Sequence, residues 1–292
     1  TQSAIYSPAK YGYIRECLKK AGLSIGNAYV SAVTLTAILL GTVFFSYLFE
    51  LYLGVKQYST PQEILHHIAP VGWVLVGLSM VEFLATFGVR FYATKFSEVK
   101  LSVQKLVTLH YLMNNIRVIK GNQIIWFSIW GTAIFWGMSQ NLVAVIPALA
   151  KVNLGVTSPL MVNAMLALSI LGIMVGAYVS ARKSVNSVKV NNIYTGSTTI
   201  TVCAILVPVA STLSFIPNST ALIIVSTLIL LFGVGAGMML VPLNALIQAH
   251  SAKDGLGSVL AGKNWIQNMA MIGLLLLTVL LARSNVNSVY IL

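Results

Sequence analysis

Seven stretches of the 292-residue chain are nearly free of charge and long enough to cross a bilayer, at about 27–53, 69–91, 124–149, 157–180, 198–216, 220–247 and 259–282. A helix needs about 20 apolar residues to cross the hydrocarbon core, so the pattern predicts seven spans joined by short polar connections. A segment in lipid must satisfy its own backbone, which a helix does internally. The predicted fold class is therefore an all-α polytopic membrane protein. The one long connection, 90–121, places Phe96, Val99, Val103, Leu106, Val107 and Met113 at three- and four-residue steps with lysines between them. That spacing predicts a basic amphipathic helix on the membrane surface.

Composition strengthens this reading. The chain is 57% hydrophobic and 8% charged, with a mean hydropathy of +0.85, whereas soluble domains are about a quarter charged. A soluble domain is excluded, and no polar stretch remains for a catalytic domain outside the membrane. The net charge of +12 would point to nucleic acid in a soluble protein. Here the excess follows topology, and no nucleic-acid partner is expected. Of the 18 Lys and Arg, 15 fall in residues 1–26, 90–121, 182–189 and 253–263, and only Lys56, Lys151 and Arg283 lie in the opposite-side connections. By the positive-inside rule the first segment and the long connection are cytoplasmic and the C-terminus is outside. Cys17 and Cys203 stand far apart with no second pair, so neither a disulfide framework nor a zinc site is indicated. No signal peptide is visible, and a start at Thr1 reads as a piece of a longer protein.

Candidate chemistry is sparse. His66 and His67 are placed in an outside loop, His110 in the linker and His250 in a cytoplasmic loop, so no histidine is expected inside a span. Neither catalysis, a cofactor nor a metal is expected. The spans do hold uncharged polar residues, which cost free energy in lipid unless they pair or line water. Gln140 and Asn141 sit in the third span, and Asn244 and Gln248 share a face of the sixth. Two further four-residue pairs, Lys263 with Gln267 and Asn264 with Asn268, open the seventh. Gln140, Asn141, Asn244, Gln248, Asn264 and Asn268 are predicted to line a hydrophilic cavity, the alternative being bonds between helices. Glu82, deep in an apolar run, is a candidate proton or cation site, the alternative being a structural pairing toward Arg90. Gly172 with Gly176, and Gly233 with Gly237, have the spacing of closely packed helices. Pro208 and Pro242 interrupt apolar runs. Near the start, Lys10 stands between Tyr6 and Tyr11, placed either to hold a phosphate or carboxylate or to snorkel to the interface.

The segments YSPAKYG at 6–12, Asn27 and TAILLG at 36–41 resemble the end of the fourth helix and the fifth helix of the bacterial lysophospholipid transporters of the major facilitator superfamily. GTAIFWG at 131–137 is similar to the opening of their seventh helix, VPLNALIQ at 241–248 to their tenth and VLAGKNWIQN at 259–268 to their eleventh. Departures fall at Ser31, where relatives often carry Glu, and at Val143, where some carry Arg. The resemblance implies helices 5 to 11 of a twelve-helix fold. Residues 1–92 would end the N-terminal half, 93–121 form the cytoplasmic linker and 122–292 belong to the C-terminal half. It also implies a flippase that moves lysophosphatidylethanolamine-type lipids across the bacterial inner membrane by alternating access for reacylation. Lys10, with Tyr6 and Tyr11, would meet the lipid phosphate, and an acyltransferase/acyl-carrier-protein synthetase would be a partner or fused domain. Two rival readings are a facilitator-type efflux pump for small amphiphiles coupled through Glu82, and a non-transporting scaffold that docks an acyltransferase on its basic linker.

The charge asymmetry yields a direct expectation. A cysteine at Ser59 should react with a membrane-impermeant thiol reagent in intact cells and one at Ser187 should not. The opposite labelling pattern would overturn the orientation.

Overall fold

The computed structural model describes residues 13, 14, 17, 18, 22–53, 60–88, 102–156, 158–183, 188–213, 216–252, 255–284, 286 and 288–291. Their secondary structure is helical: α1 (Leu23–Leu53), α2 (Pro61–Thr86), α3 (Val103–Val107), α4 (His110–Lys120), α5 (Gln123–Asn153), α6 (Pro159–Lys183), α7 (Val190–Thr212), α8 (Asn218–His250), α9 (Leu256–Arg283) and α10 (Ser288–Ile291). Among the described residues, seven helices are long and apolar enough to cross a membrane. They are α1, α2 and α5 to α9, one for each predicted stretch.

Helix ends depart from the apolar pattern because capping is done by polar residues. The second span starts at Pro61, eight residues earlier than predicted. Thr60 accepts a hydrogen bond from the Glu63 backbone N–H at 3.4 Å, Pro61 sits in the first turn and Glu63 is an acid near the helix start. His66 and His67 therefore lie inside α2, not in a loop, and a His67 ring nitrogen lies 3.1 Å from the Glu63 carbonyl oxygen. His250 likewise ends α8 and is not in a loop. Asn122 opens α5 by accepting from the backbone N–H groups of Ile124 and Ile125. The linker also differs from the single amphipathic helix predicted for it. Leu109 takes a left-handed backbone, φ 56°, and breaks the segment into α3 and α4. The break shifts the helical register, so Val107 and Met113 stay exposed while Ile119 is fully buried.

The chain divides into two compact units, residues 36–100 and the remainder. The smaller holds the later part of α1 and all of α2, in which Val71 alone is buried. In the larger unit α8 is the central helix, touching α5, α6 and α7. Glycine makes that closeness possible. A Cβ at Gly176 would overlap the Val234 carbonyl, and one at Gly233 the Ser169 carbonyl, so α6 and α8 meet backbone to backbone. Gly235, between the two α8 glycines, faces Gly196 of α7 in the same way. One apolar cluster joins α5, α6, α7 and α8, with Phe135 stacked on Phe232 at 6.3 Å between ring centres. A second cluster fastens α4 to α5, α8 and α9 through Ile119, Ile125, Ile247, Val259 and Ile266. Gly262 of α9 gives the notch for α4, because a Cβ there would strike Ile119. The outward faces carry Ile205, Ile223, Leu276 and Leu280 exposed, as hydrocarbon surroundings allow.

Gly176→Ala should separate α6 from α8 and destabilise the bundle by about 1–3 kcal/mol, the usual range for overpacking. Gly273→Ala, where a Cβ meets open space, should be neutral or mildly stabilising. Thermal unfolding in detergent measures both. Equal midpoints would remove the close-packing account.

Candidate functional site

Apolar helices tolerate polar side chains only where those find partners, so the buried polar residues mark where the larger unit is specialised. Asn27, on the second turn of α1, is fully buried. Its Nδ2 donates to Gln248 Oε1 at 2.9 Å, and Gln248 Nε2 donates back to Asn27 Oδ1 at 2.9 Å. Asn27 also donates to the Leu23 carbonyl at 2.8 Å. Small neighbours let the helices approach. Ala28 packs with Ala177 and Val241, while Leu23 and Ile14 pack on Ala245.

One turn back along α8, Asn244 Oδ1 accepts from the ammonium of Lys263 on α9 at 2.5 Å. Lys263 is 4% exposed. The sequence placed it just inside the seventh span, paired with Gln267, and the structure buries it within the bundle. Seven residues beyond the start of α9, it lies about 10 Å in from that helix end. Gln267, one turn further on the same face, is 8% exposed, and its Nε2 is buried with no hydrogen-bond partner. The outcome is a buried polar ladder, Asn27, Gln248, Asn244, Lys263 and Gln267, crossing from α1 through α8 to α9.

The other candidate residues fall elsewhere. Asn264 is half-buried and Asn268 exposed, on a face of α9 about 100° away from the ladder. Gln140 is half-buried on α5. Asn141 bridges helices: its Oδ1 accepts from Thr278 at 2.6 Å and its Nδ2 donates to the Ile291 carbonyl at 3.0 Å. Glu82 is exposed on α2 in the smaller unit. Tyr6, Lys10 and Tyr11 lie outside the described residues. Among the described residues, no group of three His, Cys, Asp or Glu is placed to hold a metal ion. A surface cleft of about 310 Å³, lined by Gly155, Ser158, Asn218 and Ser219 among others, lies at the opposite end of α8 from the ladder.

Two features of the ladder were missed by sequence reasoning. Asn27 has its partner 221 positions away, beyond any local pattern. Lys263 and Gln267 were visible as a four-residue pair, but nothing local separates their face from that of Asn264 and Asn268.

The profile of the Major Facilitator Superfamily matches residues 2–282. The chain belongs to that superfamily. It is a multi-pass membrane protein of a transporter family, with α1, α2 and α5 to α9 as its spans. Among its relatives, Lysophospholipid transporter LplT of Yersinia enterocolitica is 27% identical over 92% of this chain and 60% of that protein. The same-named proteins of Serratia proteamaculans and Yersinia pestis are each 27% identical, over 92% and 94% of this chain and 61% of their own lengths. The chain thus spans about 60% of the length of the curated relatives it matches. No solved structure matches it significantly.

The Asn27–Gln248 exchange gives a test by double-mutant cycle. Asn27→Leu strands a buried amide on α8 and should cost about 1–3 kcal/mol, whereas adding Gln248→Leu should recover part of the loss. Unfolding of the purified variants in detergent measures the coupling, and strictly additive losses would show that the two amides do not act as a pair.

Proposed function

We propose that this protein moves lysophospholipids, lysophosphatidylethanolamine among them, across a bacterial inner membrane by alternating access. The observation that carries the proposal is the alignment with proteins named lysophospholipid transporters over 92% of the chain or more. The buried ladder supports it. A carrier of single-chain phospholipids must offer a polar headgroup some polar surface within an apolar bundle, and the Asn, Gln and Lys side chains on α1, α8 and α9 supply it.

The proposed division of the chain is residues 1–92 as the end of the N-terminal half, 93–121 as the linker and 122–292 within the C-terminal half. On that division Asn27 belongs to one half and Gln248 to the other. Their paired hydrogen bonds hold the halves together at the end of the bundle nearest the linker, and they must part in any cycle that opens that end. The proposed orientation makes this the cytoplasmic end, because the basic connections lie there. Lysolipid released on that side is then available for reacylation, with an acyltransferase as the proposed functional partner.

Lys10 is the proposed first contact of the phosphate, with Tyr6 and Tyr11 meeting the glycerol and chain. Lys10→Ala should lower lysophosphatidylethanolamine uptake at least tenfold per molecule in the membrane, which corresponds to about 1.4 kcal/mol. Lys10→Arg should retain part of it. Uptake by spheroplasts, corrected for protein abundance, is the measurement. Unchanged corrected uptake in the Ala variant would remove Lys10 from the path, and absence of uptake by the unaltered protein would overturn the transport reading itself.

A further inference from the structure

The ladder contains one polar group that the fold leaves unanswered. Gln267 is more than nine-tenths buried, and its Nε2 carries two N–H donors with no acceptor. Donors shut away from water and unbonded cost about 1–3 kcal/mol. Leu and Met fill such positions without that cost. One turn before it on the same helix face is Lys263, 4% exposed, its ammonium bonded to Asn244 Oδ1. Residues four apart on a helix have Cβ atoms about 5–6 Å apart, so Lys263 and Gln267 are neighbours on one face of α9. No Asp or Glu occurs anywhere in α8 or α9. A cation with an adjacent amide donor, free of carboxylates on their own helices, is chemistry suited to an oxyanion.

We infer that Lys263 and Gln267 together form a phosphate anchor in the interior of the bundle, the ammonium supplying charge and the amide an oriented second donor. Asn244 Oδ1 accepts a hydrogen bond from the lysine in this conformation and draws its side chain toward α8. The inference rests on the lysophospholipid reading and deepens it, because it names the part of the lipid that the C-terminal helices recognise. The phosphodiester is bound here and the acyl chain elsewhere. Burial of both residues shows that the anchor is closed in this conformation, and its opening is linked to separation of α1 from α8 one turn away along the ladder.

The test uses the full chain, purified and reconstituted, with three probes: a lysophosphatidylethanolamine, the glycerophosphodiester headgroup without its chain, and a monoacylglycerol without the phosphate. Gln267→Leu is the informative variant, because it removes an unanswered amide and should raise the unfolding temperature. If the anchor exists, the same substitution weakens lysophosphatidylethanolamine binding at least threefold and leaves monoacylglycerol binding unchanged. Lys263→Met should weaken the phospholipid at least tenfold, with partial recovery in Lys263→Arg. A Gln267→Leu protein that is stabilised and binds the phospholipid as tightly as the unaltered protein overturns the anchor while leaving the transport reading intact. Failure of the unaltered protein to bind lysophosphatidylethanolamine overturns that reading and the anchor with it. Tight binding of the chain-free headgroup, equal to that of the lipid, would assign the site to a soluble phosphodiester and overturn the lipid anchor.

Discussion

Asn27 and Gln248 exchange two hydrogen bonds of 2.9 Å with both side chains out of contact with solvent, and the placement of α1 depends on that exchange. Apolar packing alone is indifferent to small shifts of one greasy helix along another, since lipid tails are as apolar as leucine. Two reciprocal amide bonds are not indifferent. A slip of one residue along α1, about 1.5 Å of rise and 100° of turn, would carry Asn27 away from α8 and leave two buried amides unsatisfied. Fully buried Asn27 sits beside Ala28, so the polar pair sets register and the small side chain sets distance.

The same constraint explains why glycine is spent where it is. With no hydrophobic gain from leaving lipid for protein, helices in a bilayer associate through close contact. α8 achieves it on two sides, through Gly233 and Gly237 toward α6 and through Gly235 toward α7. It then continues past Pro242 into the segment that carries Asn244 and Gln248. One helix therefore joins the glycine-packed part of the bundle to the polar ladder.

All seven spans were legible because hydropathy over twenty residues is a strong signal, and the glycine pairs because close packing demands their spacing. What stayed illegible has physical causes. The start of α2 was misplaced by eight residues because Thr60, Pro61 and Glu63 form a helix entrance that hydropathy counts as loop. The linker was read as one helix because no residue type announces a left-handed Leu109. On α9 the sequence offered two polar pairs on neighbouring faces, and the choice between them is made by α8 through Asn244, across tertiary space. Asn141 looked like a cavity residue and is a fastening between α5, α9 and α10, because Thr278 and the Ile291 carbonyl lie within reach.

On the proposed division of the chain, the choice of amides for the contact between halves has its own logic. Under the proposed alternating access this contact would break once in every cycle and so cannot be too strong, since moving a two-state equilibrium from 1:99 to 99:1 already takes about 5.5 kcal/mol. Hydrogen bonds between helices in a bilayer average about 0.6 kcal/mol and reach about 1.7, so a reciprocal amide pair contributes an amount that substrate binding can offset. A buried ion pair in the same place would lose several kcal/mol on separation, through two uncompensated charges. The only charge in the ladder, Lys263, faces a neutral oxygen of Asn244. In the proposed anchor a lipid phosphate would draw the ammonium toward itself. Gln248 of the amide pair and Asn244, the partner of Lys263, lie on successive turns of α8, so the contact with α1 and the proposed phosphate anchor draw on one helix face.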